Sequence, residues 1–357
     1  MKEITQRIEL LRELCGRFGP SGCEGEVAEY IAKRIAPLCD SYCIDRMGNL
    51  LCLIRTGDSD ASDRLRVMIS AHMDEVGVMV TEICENGLLR FDTVGSINVP
   101  VLEGRAVTLG DEINRLPGLI ASKAIHHVKR EDRNKVTPRD QLYIDIGVSS
   151  REEAEKLVSI GTFGVFDSEF YRFGKDGAYV KAKALDDRMG CASMMIMMEE
   201  LRANPPRNNL DLYFCFTVRE EFGGAGARVA AQKLAPEISI VLESTTAADL
   251  PDVAESRQVA HLGRGVALSM MDRSTIYDRP LLELGLALAK ERGIPAQIKQ
   301  FVSGGNDSGV IHKSGTGVRA MALSVPTRYI HSASCVAALE DWRTQWELCG
   351  AILRQLS

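Results

Sequence analysis

His72 and Asp74 stand two apart in Ser70-Ala71-His72-Met73-Asp74-Glu75-Val76-Gly77, directly after the apolar run Leu65-Arg66-Val67-Met68-Ile69. Such a run reads as a buried strand, and residues two apart on a strand point the same way. An imidazole and a carboxylate then share one side of a strand tip. Both are metal-ligand types, and a carboxylate behind a ligating histidine is a common supporting arrangement. Taken alone the pair reads first as a polar strand end without chemistry. Its meaning depends on which other acids and histidines come to meet it.

Several do. Asp186 and Asp187 lie in Lys183-Ala184-Leu185-Asp186-Asp187-Arg188, at the entry to a helix. Glu220 and Glu221 follow an apolar strand ending at Val218, before Gly223-Gly224-Ala225-Gly226. Glu243 terminates the strand 238–242, and His331 lies in Arg328-Tyr329-Ile330-His331-Ser332, past a strand ending near Ser324. Ligands of open α/β sheets bind beyond the carboxyl ends of the strands. Singly, an Asp-Asp before a helix is an ordinary cap and a Glu-Glu an ordinary solvated pair. Together they differ, because two glutamates after a fully apolar strand bring charge to a buried rim unless something neutralises it. Two divalent cations would do so, with an aspartate bridging and a His plus a carboxylate completing each site. Nitrogen and oxygen donors without thiolate suit Zn²⁺ or Co²⁺, and also Mn²⁺. Such a pair, about 3.5–4 Å apart, polarises a carbonyl and lowers the pKa of a bound water to about 7. A nearby carboxylate can then take the proton.

The elements that must position these groups follow from periodicity. Ile4, Ile8, Leu11 and Leu14 mark a first helix, and Val27, Ile31 and Ile35 a second over 24–35. A hairpin follows, 42–46 and 50–55 about Met47-Gly48-Asn49. After Gly77 the texture changes to short strands at 78–83, 88–91, 107–109, 118–121 and 142–146, with one helix at 150–158. From Ala178 helix and strand alternate: helix 187–201, strand 212–218, helix 225–234, strands 238–242, 266–271 and 318–323, and helices 281–292 and 336–356. The organisation expected is one α/β domain, residues 1–75 and 178–357, split by a β-rich insert at 76–177.

Composition bounds the function. The 357 residues are 45% hydrophobic and 26% charged, with net charge −6. There is no basic excess to neutralise phosphates, so nucleic acid is not expected as a partner. No apolar span reaches the ~18 residues of a membrane helix, and Met1-Lys2-Glu3-Ile4 opens no signal-peptide core. The ten cysteines show no Cys-x-x-Cys spacing. They are expected to be reduced, in a cytoplasmic protein without a membrane partner.

The segments Ala71-His72-Met73-Asp74-Glu75-Val76-Gly77, Ala184-Leu185-Asp186-Asp187-Arg188, Glu220-Glu221-Phe222-Gly223, Gly304-Gly305-Asn306-Asp307 and Arg328-Tyr329-Ile330-His331-Ser332 resemble the M42 family of dinuclear-metal aminopeptidases, in family order across nearly the whole chain. The resemblance implies a zinc-exopeptidase-like fold, a mixed central sheet with helices on both faces, and makes the insert a dimerisation domain. It implies that His72 and Glu243 bind one metal and Glu221 and His331 the other, with Asp186 bridging. Asp74 would orient His72, and Glu220 would be the general base. It also implies short peptides as substrates and a twelve-subunit shell.

The chain departs from the family pattern. Asp is usual at Glu243, Gln at Arg219 and Thr at Asn306, and Ser332-Ala333 lacks a proline. Glu at position 243 is found among carboxypeptidases of the wider clan. A related carboxypeptidase or amide hydrolase is therefore the alternative, and a non-catalytic shell protein of the same fold a further one. No Gly-x-Ser-x-Gly elbow supports a serine nucleophile.

Overall fold

Four parallel strands, in the spatial order Leu210–Thr217, Leu65–His72, Ile238–Thr246 and Arg319–Arg328, form the centre of the computed structural model. It describes residues 2–111, 113–300 and 302–356. These strands are nearly continuous apolar runs because both faces are covered. Val67, Ile69 and Ala71 pack on one face with Leu212, Phe214, Ile240 and Leu242. The helices Lys2–Cys15, Gly25–Ile35, Leu185–Ala203 and Leu339–Leu353 contribute to that core. Met68, Cys215 and Val241 face the other way, onto Ala227, Ala230 and Ala231 of the helix Ala225–Leu234.

Antiparallel strands extend the sheet on both sides, and Val266–Leu268 and Ala296–Ile298, which branch from Arg319–Arg328, bring it to 11 strands. Leu50–Arg55 and Ser41–Ile44 lie beyond Leu210–Thr217. Cys335–Ala338, Tyr179–Ala182 and Tyr171–Phe173 lie beyond Arg319–Arg328. The sheet is mixed and helices cover both faces, as the resemblance implies. The insert is a closed barrel of Gly77–Ile83, Leu89–Val94, Tyr143–Asp145, Arg115–Ala121, Ala106–Gly110 and Phe163–Phe166. Its own core gathers Val78, Val80, Phe91, Leu109, Ile120 and Ile144.

Four expectations shift. The insert expected at 76–177 is longer than the barrel, since Tyr171–Phe173 already pairs with Tyr179–Ala182 in the central sheet. The closing helix starts at Leu339, because Cys335–Ala338 is drawn into strand pairing with Tyr179–Ala182. The helix expected over 150–158 is only Arg151–Ala154, capped by Ser150, whose hydroxyl accepts the Glu153 N–H at 3.3 Å. Finally, Glu243 does not end its strand. The strand continues to Thr246 because Ser244–Thr246 keep register with Val325–Thr327 of the neighbour.

Candidate active site

Strand register sets the site. Thr217 pairs with His72, and Ser70 pairs with Val241, which puts Glu243 level with His72 on the adjacent strand. Glu220 and Glu221 follow directly after the Leu210–Thr217 strand. Asn49 pins their turn: its side-chain oxygen accepts the Val218 N–H at 3.1 Å and its amide donates to the Gly226 carbonyl at 3.0 Å. A Cβ on Gly226 would lie 2.3 Å from the Val218 carbonyl oxygen, so only glycine lets the helix Ala225–Leu234 start there. Arg219 and His331 take left-handed φ values of 58° and 59°, costly for non-glycine residues and found where a loop must aim a side chain.

Asp186 and Asp187 open the helix Leu185–Ala203 with non-helical dihedrals, and their shared peptide bond is cis. Asp186 sits between the two histidines. Its Oδ1 is 3.1 Å from His72 Nε2, and its Oδ2 is 3.3 Å from His331 Nε2. Glu243 Oε1 lies 3.5 Å from His72 Nε2, and Glu221 Oε2 lies 3.3 Å from His331 Nε2. The two halves have the same plan: one histidine, one glutamate and one oxygen of Asp186.

Both imidazoles are oriented from behind. His72 Nδ1 lies 3.0 Å from the Asp74 carbonyl, and His331 Nδ1 lies 2.8 Å from the Ser96 carbonyl. A carbonyl only accepts, so each Nδ1 donates and each Nε2 is left for the carboxylates. In the neutral ring that Nε2 is a lone pair facing anionic oxygens, which is unfavourable unless a proton or a cation lies between them. Asp74 does more than orient His72. Its carboxylate is 3.5 Å from His72 Nδ1 and also accepts the Glu220 and Glu221 N–H groups at 3.0 and 3.1 Å. It ties the strand tip to the glutamate turn.

The cluster is short of positive charge. His72, Asp74, Asp186 and Glu243 are all under a tenth exposed. Burial pushes Glu221 up to about 8 against the pull of His331, and burial with Asp186 alongside pushes Glu243 up to about 8. Burial opposes the charged form of His331, but Asp186 and Glu221 carry it up to about 9. Burial also raises Glu220, with Glu243 and Asp307 adding to the effect and His72 opposing it. Glu221 Oε1 is buried with no hydrogen-bond partner. Imidazole nitrogens, carboxylates and an orphaned buried oxygen at this spacing fit divalent cations. Two ligand groups emerge, His72 with Asp186 and Glu221, and His72 with Asp187 and Glu243.

A cavity of about 120 Å³ opens over the cluster, lined by Asp186, Glu220, Glu221, Glu243 and His331 together with the loop 303–306. Every residue singled out from sequence is thus brought to one place. Sequence reasoning gave no role to Asp187, whose Oδ2 is buried and partnerless, although its neighbour was singled out. It also missed Ser96, because a backbone carbonyl leaves no trace in side-chain pattern. Lys299, buried on the cavity wall, was missed too.

A family model described as M42 glutamyl aminopeptidase matches residues 48–348. The chain belongs to the M42 peptidase family. A putative aminopeptidase of Acetivibrio thermocellus is 34% identical to it over 339 residues, 95% of this chain and 96% of the relative. A crystal structure of a TET aminopeptidase from a marine-sediment Thaumarchaeota archaeon superposes with TM-score 0.94 at 32% identity, over 99% of this chain and 97% of that one. The TET1 peptidase of Pyrococcus horikoshii, which can assemble into a tetrahedron or a large octahedral shell, gives TM-score 0.86 at 32% identity, over 98% and 100%. As an M42 aminopeptidase the chain is a peptidase of a metal-dependent family, and its His and acidic side chains could hold the metal.

Proposed function

We propose that this M42 aminopeptidase removes N-terminal residues from short peptides at a dinuclear divalent-metal centre. The observation that carries the reading is the division of Asp186 between His72 and His331. His72 and Glu243 would hold one cation, Glu221 and His331 the other, and Asp186 both. Asp187 is close enough to join the His72–Glu243 side. Zn²⁺ or Co²⁺ match the donors best, with Mn²⁺ also compatible. When bound, such a pair supplies Lewis-acid polarisation of the scissile carbonyl and a water that ionises near neutral pH.

The chain's own residues do the rest. Glu220 acts as general base. It lies half-buried on the cavity wall, its N–H is held by Asp74, and its carboxylate takes no hydrogen bond from the described residues. Burial raises its proton affinity, which suits a group that takes a proton from water and returns it to the leaving amine. Asp74 keeps Glu220 and Glu221 in register with His72.

Two further features belong to this reading. Ile113, Ile125, Val136, Leu157 and Ile160, all on the insert, are each more than half exposed. Exposed apolar side chains there support self-association through the insert, and a homododecameric shell by analogy with the TET1 dodecamer of known structure. Buried thiols such as Cys15, Cys191 and Cys349 behave as small apolar side chains and suit a reducing, cytoplasmic setting.

A panel of free-amine, N-acetylated and C-terminally amidated peptides tests the reaction. Cleavage is expected to need the free amine and to tolerate the amide. Release of C-terminal residues from N-acetylated peptides would replace the reading with the carboxypeptidase alternative that Glu243 raises.

A further inference from the structure

A second, much smaller cavity of about 10 Å³ adjoins the cation cluster, bordered by Glu75, Lys183, Asp186, Glu221 and the loop that carries His331. That volume holds roughly one water. Most polar groups around it are already engaged. Asp186 turns one oxygen to each histidine, and His331 Nδ1 donates to the Ser96 carbonyl. Ser332 donates its hydroxyl to the Tyr329 carbonyl at 2.6 Å and accepts the Ser334 N–H at 3.1 Å. The Cys335 thiol lies 3.5 Å from the Tyr329 and Ser332 carbonyls.

Three groups are left over. Lys183 is buried, and its ammonium donates to the Arg17 carbonyl at 3.0 Å and to Glu75 Oε1 at 2.5 Å. An ammonium has three donors, so one remains. Glu75 spends Oε1 on both Lys183 and Arg188, while its Oε2 takes no hydrogen bond from the described residues. Glu221 points Oε2 at His331 Nε2, 3.3 Å away, and its Oε1 is buried without a protein partner. One donor and two acceptors are the complement of a single water, which can accept one hydrogen bond and donate two. Buried waters typically make about three.

We infer that one buried water links Lys183 to Glu221 Oε1, and that Lys183 is through it a positioning residue for the cation held by Glu221 and His331. Fixing Oε1 from behind fixes Oε2 on the side of His331, where that cation binds. Glu75 with Lys183 and Arg188 sets one anion against two cations, so the triad has positive charge to lend to the acid beyond it. The His72 side has no need of such a link, because Glu243 Oε1 takes its orienting hydrogen bond directly from the Ser244 N–H at 2.9 Å. Two glutamates with matching roles are thus held by different means, one by backbone and one by water. The water follows from the geometry alone, whereas the role in holding a cation rests on the dinuclear reading.

The test has two arms, both on the full chain. A high-resolution crystal structure of the native, metal-loaded protein should show one water within about 3.2 Å of Lys183 Nζ, Glu221 Oε1 and Glu75 Oε2. No water there, or a metal ion in its place, overturns the inference. The second arm is Lys183→Met, which leaves Glu75 its pairing with Arg188 at 3.4 Å. Zn²⁺ titration by calorimetry against a competing chelator should show one of the two cations bound ~10–100-fold more weakly and the other unchanged, the scale for loss of a group that supports a metal ligand. Equal weakening of both cations, as a general structural defect would give, overturns the positioning role, and so does unchanged binding. Should Lys183→Met fail to fold, the water in the native structure decides. Native protein that binds fewer than two cations would sink the dinuclear reading instead, and the water still reports on Lys183.

Discussion

The central sheet and the inserted barrel bury side chains by opposite rules. Between Glu75 and Lys183 no polar or charged side chain of the described residues is buried. The barrel interior is apolar throughout, and closure satisfies its backbone. The central domain buries His72, Asp74, Glu75, Lys183, Asp186, Asp187, Arg188, Glu243, Lys299 and Asp307. Part of that list is structural and paired: Glu75 takes both Lys183 and Arg188, and Arg188 also donates to the Met73 carbonyl at 2.8 Å. The remainder, at the carboxyl ends of the parallel strands, is unbalanced, with acids outnumbering the groups that could answer them. Burying charge is tolerated only when it is compensated. The difference therefore separates a region built to be stable from one built to receive cations and substrate. To the site the barrel lends the Ser96 carbonyl and the tight passage at Gly95, where φ is +86° and a Cβ would meet Val76 at 2.9 Å.

The largest effect should come from the residue on which the unbalanced half turns. Asp186→Asn should lose both cations and drop turnover to background, measured together by elemental analysis and anilide hydrolysis. Retention of both metals would show that Asp186 is not shared. Glu220→Gln should keep its metals and lose kcat by at least ~10², the scale of general-base catalysis. An unchanged rate removes Glu220 from that role.

How much of this contrast is legible in the sequence depends on what each residue's signal is. The parallel strands announce themselves as apolar runs, and the acids and histidines at their ends are visible as residue types at strand exits. The barrel is legible as a change of texture, though Phe163–Phe166 and the return at Tyr171–Phe173 are too short to carry a pattern. Cys335–Ala338 joins the helical stripe in sequence and becomes a strand only because Tyr179–Ala182 offers it an edge. Partnership is what sequence hides. Nothing in Met73-Asp74-Glu75 says that the aspartate holds two backbone N–H groups.

A smaller, graded effect follows from protons. In the metal-free protein Glu221 and Glu243 are raised to about 8 and His331 to about 9. For each, the folded state holds its proton more tightly than the unfolded chain does. The stabilisation is complete below the unfolded pKa and fades as pH rises through the folded one. The Tm of metal-free protein should therefore fall between about pH 6 and 9, and the increment on adding Zn²⁺ should grow over the same interval. A metal-free Tm that rises with pH there would contradict the charge imbalance.

The smallest effect on the fold should come from the barrel surface. Ile113→Asp with Ile160→Asp should change the stability of the isolated subunit by no more than ~0.5 kcal/mol, as exposed substitutions do. Light scattering should nevertheless show a smaller assembly. An unaltered assembly would place the subunit contacts away from these two residues.

The most direct test of the central claim is metal removal and return. After exhaustive chelation the protein should remain folded by circular dichroism and hydrolyse no aminoacyl-anilide. Activity should return with Zn²⁺ or Co²⁺ and saturate at two equivalents per chain, the stoichiometry that a divided Asp186 requires. Full activity in protein with no detectable metal, or saturation at one equivalent, would contradict the dinuclear account.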